Sequence, residues 1–460
     1  MRSKTTTIAA PATPPGRGGI GIVRISGPKT VPIAESILGS IPPPRYATYK
    51  NFRDARGEAI DSGLALYFPS PHSFTGEDTL ELHGHGGPVV MDLLLRRVLA
   101  LGAVLARPGE FSERAFLNGK LDLVQLEAIA DLIESSSEQA ANAARRSLQG
   151  IFSRAIRELL ERLLELRTHI EAAIDFPDDE IDLLSAPETG TRLMAITDEL
   201  QRVLDAAHRG SVLREGARIV IAGRPNVGKS SLLNALAERE TAIVTDVPGT
   251  TRDVLREHIH VDGLPLYLFD TAGLRETRDP VERQGVRRAM DAIGKAELLL
   301  LVVDEKGPQA EDRALLEKLR PSQAKETESE PARRAATITV QNKIDLIGGQ
   351  PEVLHTESGV RVALSAKTGA GLPLLREQLR RQAGLQQDTE GLFLARRRHL
   401  DALERVSSAL DSAKRQLLAG AGELLAEDLR RAQQALGEIT GEFTTEALLD
   451  RIFSGFCIGK

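Results

Sequence analysis

The chain has 460 residues, of which 41% are apolar and 27% charged, and a formal net charge of −6 at pH 7. This length and composition predict about three domains with ordinary cores and exclude wholesale disorder. Because the balance is acidic, nucleic acid would have to bind at a local basic patch. Only 3% of residues are aromatic and Trp is absent, which favours helix-rich cores packed with Leu and Ala.

Cysteine content and hydropathy indicate the compartment. Cys457 is the single cysteine, which excludes an internal disulfide framework and favours a reducing compartment. The longest dense apolar run, Leu298–Val303, is too short to span a bilayer, and the first residues contain no apolar run long enough for a signal peptide. We therefore expect a cytoplasmic protein with no membrane segment.

Residues 1–118 are predicted to form a small α+β domain. Strand-like runs occur at 20–26, 64–68 and 79–83, and a helical pattern occurs at 89–101. Three charged residues fall on or beside these elements: Arg24, Glu81 and Lys120. Taken alone, each of them reads as surface charge.

Two patterns in this region resemble binding motifs. The glycines from Gly16 to Gly21 match G-x-G-x-x-G, but they precede a strand, whereas a dinucleotide-binding turn follows a strand and opens a helix. His83 and His85 form an H-x-H pair of the kind that a metal site uses. The surrounding glycines and the lack of a third ligand nearby in the sequence favour two loop histidines instead.

Residues 121–213 and 392–453 have helical patterns. Between 151 and 174 the apolar residues follow one face of a long amphipathic helix, and the acidic segment 175–180 ends it at a proline. The arginine pairs and triplets at 145–146, 396–398 and 430–431 are interpreted as solvated helix faces, with a nucleic-acid surface as the alternative.

The stretch 223–230, GRPNVGKS, fits the P-loop pattern G-x-x-x-x-G-K-[ST]. A β-branched run precedes it and a helical pattern follows it, which is the strand–turn–helix context that the motif requires. In such a loop, Lys229 reaches the β- and γ-phosphates and the Ser230 hydroxyl binds Mg²⁺.

The remaining motifs of a GTPase follow in order. A polar loop at 241–253 supplies a threonine for Mg²⁺, two strands joined at 262–263 lead to Asp270, and Asn342, Lys343 and Asp345 follow a strand. The Asp345 carboxylate can accept from both N–H groups of guanine, which adenine lacks, so GTP is predicted. The predicted nucleotide contacts are Gly223, Asn226, Val227, Gly228, Lys229, Ser230, Ser231, Thr245, Asp246, Val247, Pro248, Gly249, Thr250, Thr251, Asp270, Thr271, Ala272, Gly273, Asn342, Lys343, Asp345, Ser365, Ala366 and Lys367.

The expected water-orienting glutamine is absent. Leu274 follows Asp270–Gly273 where Ras-like enzymes place that Gln. Either hydrolysis is slow or another group holds the water, and Glu282 is the candidate for that group. Lys229 and Thr251 complete the predicted catalytic set. A monovalent cation near Asn226 is a candidate for the missing positive charge, as are the arginines Arg252, Arg256 and Arg275.

Five stretches of the chain resemble the MnmE (TrmE) family of tRNA-modification GTPases, within the TrmE-Era-like superfamily. They are ATPPGRGGIGIVRISG, FTGEDTLELHGHGG, RPGEFSERAFLNGKLDLVQLEA, DVPGTTRD and the terminal FCIGK. The resemblance implies a multi-domain α+β and α/β protein: an N-terminal folate-binding and dimerisation domain (1–118), a discontinuous helical domain (119–214 and 385–460) and an inserted Ras-like GTPase domain (215–384).

The resemblance also implies ligands, partners and an activity. It assigns a tetrahydrofolate derivative to Arg24, Glu81, Lys120 and Lys460, K⁺ to Asn226, Thr245, Val247 and Thr250, and Mg²⁺ to Ser230 and Thr251. Cys457 is either a reactive thiol or a packing residue. The expected function is GTP hydrolysis coupled to addition of a (carboxymethyl)aminomethyl group at carbon 5 of the tRNA wobble uridine, by a homodimer that joins the FAD-dependent protein MnmG (GidA) in a heterotetramer. The alternative is a GTPase switch in ribosome assembly without modification chemistry.

Overall fold

The computed structural model describes residues 6–135, 137–175, 187–237, 256–261, 264–270, 298–319, 336–356, 359–382, 393–443, 446–454, 456 and 459. The chain divides into two compact units, one of Met1–Ala130 with Gln433–Lys460 and one of Asp131–Ala432. The domain boundaries placed at 118, 214 and 384 stay predictions.

The described helices are α1 (Thr30–Leu38), α2 (Pro88–Ala100), α3 (Glu110–Leu117), α4 (Leu123–Glu134), α5 (Glu138–Leu148), α6 (Ile151–Asp175), α7 (Pro187–Glu215), α8 (Lys229–Ala237), α9 (Ala310–Leu319), α10 (Leu372–Gln382), α11 (Arg397–Leu418), α12 (Gly422–Thr440) and α13 (Glu446–Ser454). The described strands are β1 (Ile8–Pro11), β2 (Gly18–Ser26), β3 (Thr48–Arg53), β4 (Ala59–Phe68), β5 (Thr79–Gly86), β6 (Val104–Leu105), β7 (Ala217–Ala222), β8 (Arg256–Val261), β9 (Leu264–Asp270), β10 (Leu298–Val303), β11 (Ala336–Gln341), β12 (Glu352–Thr356) and β13 (Gly359–Ala363). None of these helices is both long and apolar enough to cross a membrane.

The first unit is built on a six-stranded sheet in the order β3-β4-β5-β2-β1-β6. Its pairs are antiparallel except for β1 with β6. One face alternates buried apolar residues such as Ile25, Leu80 and Leu82 and packs with buried residues of α1 and α2. The other face carries Arg24 and Glu81, which lie opposite each other on β2 and β5. The predicted α+β domain is confirmed.

The two histidines do not lie in a loop. His83 and His85 are residues of β5, so the loop prediction was wrong. The glycines near them mark close approaches instead, because a Cβ on Gly84 would lie 2.5 Å from a carboxylate oxygen of Asp61. His85 Nδ1 is 2.8 Å from Asp61 Oδ1, and among the described residues no cluster of three His, Cys, Asp or Glu side chains could hold a metal ion.

The second unit combines helices with a seven-stranded sheet in the order β12-β13-β11-β10-β7-β9-β8. The five central strands are parallel, and the edge strands β12 and β8 are antiparallel to their neighbours. All six residues of β10 are buried, because a central parallel strand is covered on both faces. α6 buries the face that includes Ile156, Leu163 and Ile170, as its apolar periodicity predicts. The multi-domain α+β and α/β class is confirmed.

Candidate nucleotide-binding site

The loop between β7 and α8 passes so close to its neighbours that its glycines are required. Gly223 has φ 153°, and a Cβ there would lie 2.2 Å from the carbonyl oxygen of Val302 at the end of β10. Gly228 has φ 97°, and a Cβ there would lie 2.3 Å from Asn342 Nδ2. The loop therefore lies at the carboxyl ends of two parallel strands, where α/β sheets bind nucleotides.

Lys229 lies at the start of α8 and is 9% exposed. Its Nζ donates to the carbonyl oxygens of Gly223, at 2.9 Å, and of Arg224, at 3.1 Å. The ammonium group is thus held against the loop at the helix N-terminus, where an anion is favoured. Ser230 follows it and is exposed, so its hydroxyl is accessible to a ligand.

Asn342 connects the phosphate loop to the two segments that are predicted to bind the base. Its side chain is 2% exposed; Nδ2 donates to the Val227 carbonyl at 3.0 Å, while Oδ1 accepts from the backbone N–H groups of Lys343 and Ala366 at 2.8 and 2.9 Å. One amide side chain therefore aligns three segments that are far apart in the sequence. The motif predicts Asn342 as a nucleotide contact, but it carries no signal for this bridging role.

Two residues of the site have left-handed backbone conformations. Lys343 has φ 65° and Asn226 has φ 62°, values that are uncommon for residues other than glycine and point to a local constraint. Lys343 Nζ donates to the carbonyl oxygen of Asn226 at 2.6 Å. The Asn226 side chain is exposed.

The residues predicted to bind the base lie in two segments, around Asp345 and around Ser365. Asp345 lies in a short 3-10 helix, Ile344–Ile347, and is exposed. Ser365 is fully buried, and its hydroxyl accepts from the backbone N–H of Thr368 at 3.2 Å. Lys367 is exposed. An accessible carboxylate beside a fixed loop can accept hydrogen bonds from a base that presents two donors.

Several predicted positions lie outside the described residues. They are Thr245, Asp246, Val247, Pro248, Gly249, Thr250, Thr251, Arg252, the turn 262–263, Thr271, Ala272, Gly273, Leu274, Arg275, Glu282, Cys457, Lys460 and residues 176–180 of the acidic segment. For Asp270, which ends β9, and Arg256, which begins β8, the structure describes the backbone alone.

A second polar cluster lies on the sheet of the first unit. Arg24 Nε donates to Glu81 Oε1 at 2.8 Å, and Arg24 Nη1 donates to the carbonyl of Gly459 at 3.2 Å. The guanidinium carbon is 5.9 Å from the ring centroid of Phe74 and 5.8 Å from that of Phe111, within range of cation–π attraction. The structure thus brings Arg24 and Glu81 together, and the carbonyl of Gly459, the residue before Lys460, accepts from the same guanidinium.

Glu81 also contacts His83, whose Nε2 is 3.1 Å from Glu81 Oε2. Burial by itself would raise the pKa of Glu81, but the hydrogen bond with His83 and the charge of Arg24 outweigh burial and hold the pKa below its ordinary value. Glu81 is therefore a carboxylate at neutral pH. Lys120, the third predicted member, donates to the carbonyl of Pro71 at 2.9 Å.

The arginine clusters have different roles. Arg430 and Arg431 pair with Glu427, and Arg397 pairs with Asp401, on exposed helix faces. For Arg396 the prediction of a solvated face was wrong. Its Nη2 donates to Asp131 Oδ1 at 2.8 Å, and Arg214 Nε donates to the same oxygen at 2.8 Å. Asp131 is 6% exposed. Because it accepts from both arginines, it connects the end of α7, which precedes the seven-stranded sheet in the sequence, to the start of α11, which follows it.

Comparison with known proteins covers almost the whole chain. The family model "GTP-binding protein TrmE N-terminus" matches residues 7–120, and the model "MnmE helical domain" matches residues 123–457. The tRNA modification GTPase MnmE of Methylococcus capsulatus is 57% identical over 454 residues, which cover 99% of this chain and 98% of that protein. The MnmE of Stutzerimonas stutzeri is 58% identical over 457 residues, 99% of each chain.

Similarity to solved structures is much more partial. The G domain of the T. maritima iron transporter FeoB covers 36% of this chain and 98% of its own, at 25% identity and a TM-score of 0.26, and a likeness at that score adds nothing to the assignment. The full-length matches decide it. The chain belongs to the MnmE family of tRNA modification GTPases.

Proposed function

We propose that this protein is the GTP-hydrolysing component of tRNA wobble-uridine modification, adding a (carboxymethyl)aminomethyl group at carbon 5 of the uridine. The observation that carries the GTP part is the bridge made by Asn342, which joins the phosphate loop to the two base-binding segments. The full-length similarity to curated tRNA modification GTPases supports the tRNA part.

In the nucleotide site, each described residue has a specific task. The Lys229 ammonium, which the carbonyl oxygens of Gly223 and Arg224 hold in the loop, reaches the β- and γ-phosphates. The N–H groups that open α8 bind phosphate oxygens. Asp345 selects guanine, since adenine would leave the carboxylate without its donors. Mg²⁺, which neutralises phosphate charge, would be held by Ser230, whose exposed hydroxyl fits that task, and by Thr251.

Hydrolysis in this proposal uses Glu282 to orient the attacking water, because Leu274 cannot do so. K⁺ would supply positive charge near the phosphates and would be held by Asn226, Thr245, Val247 and Thr250. The Asn226 side chain fits this role because it is exposed and offers a neutral amide oxygen, the ligand type that hard cations take.

GTP turnover in KCl and in NaCl at equal ionic strength tests the cation. We expect turnover to be faster in KCl, and Asn226→Ala to remove most of that difference. Asn234→Ala changes an exposed asparagine of α8 and is the matched control. This variant should still turn over GTP faster in KCl than in NaCl. Equal rates in both salts, with Asn226→Ala neutral, would refute the cation.

A tetrahydrofolate derivative, which would supply the one-carbon unit, is proposed to bind Arg24, Glu81, Lys120 and Lys460. The described residues fit it, because a partly buried ionised carboxylate and a guanidinium flanked by two aromatic rings suit a ligand with N–H donors, a flat ring and carboxylates. Calorimetric titration with a tetrahydrofolate should show binding to wild type and a large loss in Arg24→Ala. Arg96→Ala, which removes an exposed ion pair of α2, is the control, and the absence of binding to wild type removes the folate proposal.

The proposed assembly is a cytoplasmic homodimer, formed through the N-terminal domain, that joins the FAD-dependent protein MnmG (GidA) in a heterotetramer. The flavin of that partner would supply the redox chemistry. Nucleoside analysis of tRNA from a deletion strain, complemented with wild type or with Lys229→Ala, tests the whole proposal. We expect wobble uridines to be unmodified in the deletion strain and in the Lys229→Ala strain; unchanged modification in the deletion strain would refute it.

A further inference from the structure

Arg224, a variable position of the P-loop pattern, is held by two carboxylates. Its Nε donates to Asp312 Oδ1 at 3.1 Å, and its Nη2 donates to Asp304 Oδ2 at 3.2 Å. Asp304 directly follows β10, and Asp312 lies in the first turn of α9. The guanidinium thus joins the phosphate loop to the end of β10 and to the start of α9.

The buried carboxylate distinguishes this cluster from a surface ion pair. The Asp312 side chain is fully buried, and its second oxygen accepts from the backbone N–H of Gln309 at 3.0 Å. Asp304 is fixed in turn by the backbone N–H of Lys306 at 3.2 Å. A planar guanidinium can bond two carboxylates at once through different nitrogens, which a lysine ammonium does less rigidly.

The same residue also contacts the P-loop lysine. The carbonyl oxygen of Arg224 is one of the two acceptors that hold Lys229 Nζ, and the other belongs to the preceding residue, Gly223. The ion pairs at the far end of the Arg224 side chain restrict the positions that its backbone carbonyl can take. A chain of contacts therefore connects the two ion pairs of Arg224 to the Lys229 ammonium.

We propose that Arg224 is a positioning residue that, anchored by Asp304 and Asp312, holds the Lys229 ammonium where the β- and γ-phosphates bind. This inference rests on the proposed nucleotide site and names a determinant of its affinity for phosphate. Because Lys229 acts on the β- and γ-phosphates, the effect of Arg224 should be felt by GDP and GTP but not by GMP.

The test measures GDP and GMP affinities of the full chain by competition with a fluorescent GDP analogue, together with the melting temperature. Arg224→Ala alone leaves the Asp312 charge buried and unpaired, which destabilises the fold, so the informative variant is Arg224→Ala with Asp312→Asn. We expect the double variant to regain most of the melting temperature, to bind GDP about tenfold more weakly, and to bind GMP as wild type does.

A second variant and a control keep the result interpretable. Asp304→Asn leaves the buried pair intact and should weaken GDP binding about threefold, because an amide oxygen can still accept from Arg224 but the negative charge is removed. Arg381→Ala removes an exposed ion pair of α10 and should change neither affinity. Two results would overturn the inference: a double variant that regains GDP affinity together with its melting temperature, or one that loses GDP and GMP affinity equally. If the wild-type protein binds GDP, either result leaves the proposed function standing. A wild-type protein that does not bind GDP overturns both.

Discussion

Replacing Asn342 by alanine tests whether the nucleotide site is aligned by a single side chain. The change removes three hydrogen bonds, to the Val227 carbonyl and to the N–H groups of Lys343 and Ala366. Asn342 is 2% exposed, so water does not readily replace the lost partners. At about 1 kcal/mol for each neutral hydrogen bond, the total is about 3 kcal/mol, which corresponds to a loss of about 100-fold in an equilibrium constant.

The assay separates the two places where this energy can appear. GDP affinity, measured by fluorescence, reports alignment of the site, and urea unfolding without nucleotide reports stability. We expect affinity to take the larger part, because the three segments that Asn342 joins also form the two sides of the nucleotide site. Asn342→Asp retains Oδ1 but sets an oxygen against the Val227 carbonyl, so it should also weaken GDP binding strongly.

The neighbouring residue provides the control. Gln341 also donates from its side-chain amide to a backbone carbonyl, that of Glu305, at 3.0 Å, but it makes no bond to the phosphate loop that the structure describes. Gln341→Ala should therefore change GDP affinity less than about threefold, as expected for a single neutral hydrogen bond. An Asn342→Ala protein that binds GDP within about twofold of wild type would refute the bridging argument.

Three further predictions follow from contacts in both units. Asp131→Asn removes the charge of a buried carboxylate that holds two arginines, so it should lower the free energy of urea unfolding by about 3 kcal/mol. Glu427→Gln on an exposed face should change that free energy little. Gly228→Ala should abolish GDP binding while the protein still folds, because its Cβ would lie 2.3 Å from Asn342 Nδ2; wild-type GDP affinity would contradict this. Because the folded-state pKa of Glu81 is lowered from 4.5, its stabilising effect is present above that pH and is lost as the pH falls through the lowered value. Glu81→Gln should therefore reduce the melting temperature at pH 7 and have progressively less effect in acid, and a difference that does not change with pH would be inconsistent with this.

Local patterns determined much of the architecture. The strand before the P-loop, the fully apolar β10 and the long helix α6 could be predicted, because each is decided by periodicity within a few residues. The nucleotide can also be predicted from local motifs, since the P-loop and the segment around Asp345 are each recognised within a few consecutive residues. The histidines failed as a local prediction, because glycines that suggest a turn are also used where a strand passes close to a neighbouring side chain.

What the sequence by itself determined is therefore the set of motifs from which the groups that bind phosphate and guanine are predicted. The tertiary structure alone decided how those groups are held in place. Asn342 and Val227 are 115 positions apart, and Arg224 and Asp312 are 88 apart, so no spacing rule could pair them. Arg396 and Asp131, which are 265 apart, show the same for charge: an arginine in a basic run becomes a buried anchor once folding brings a carboxylate to it. Long-range contacts of this kind depend on sheet order and helix packing, because these decide which distant residues become neighbours.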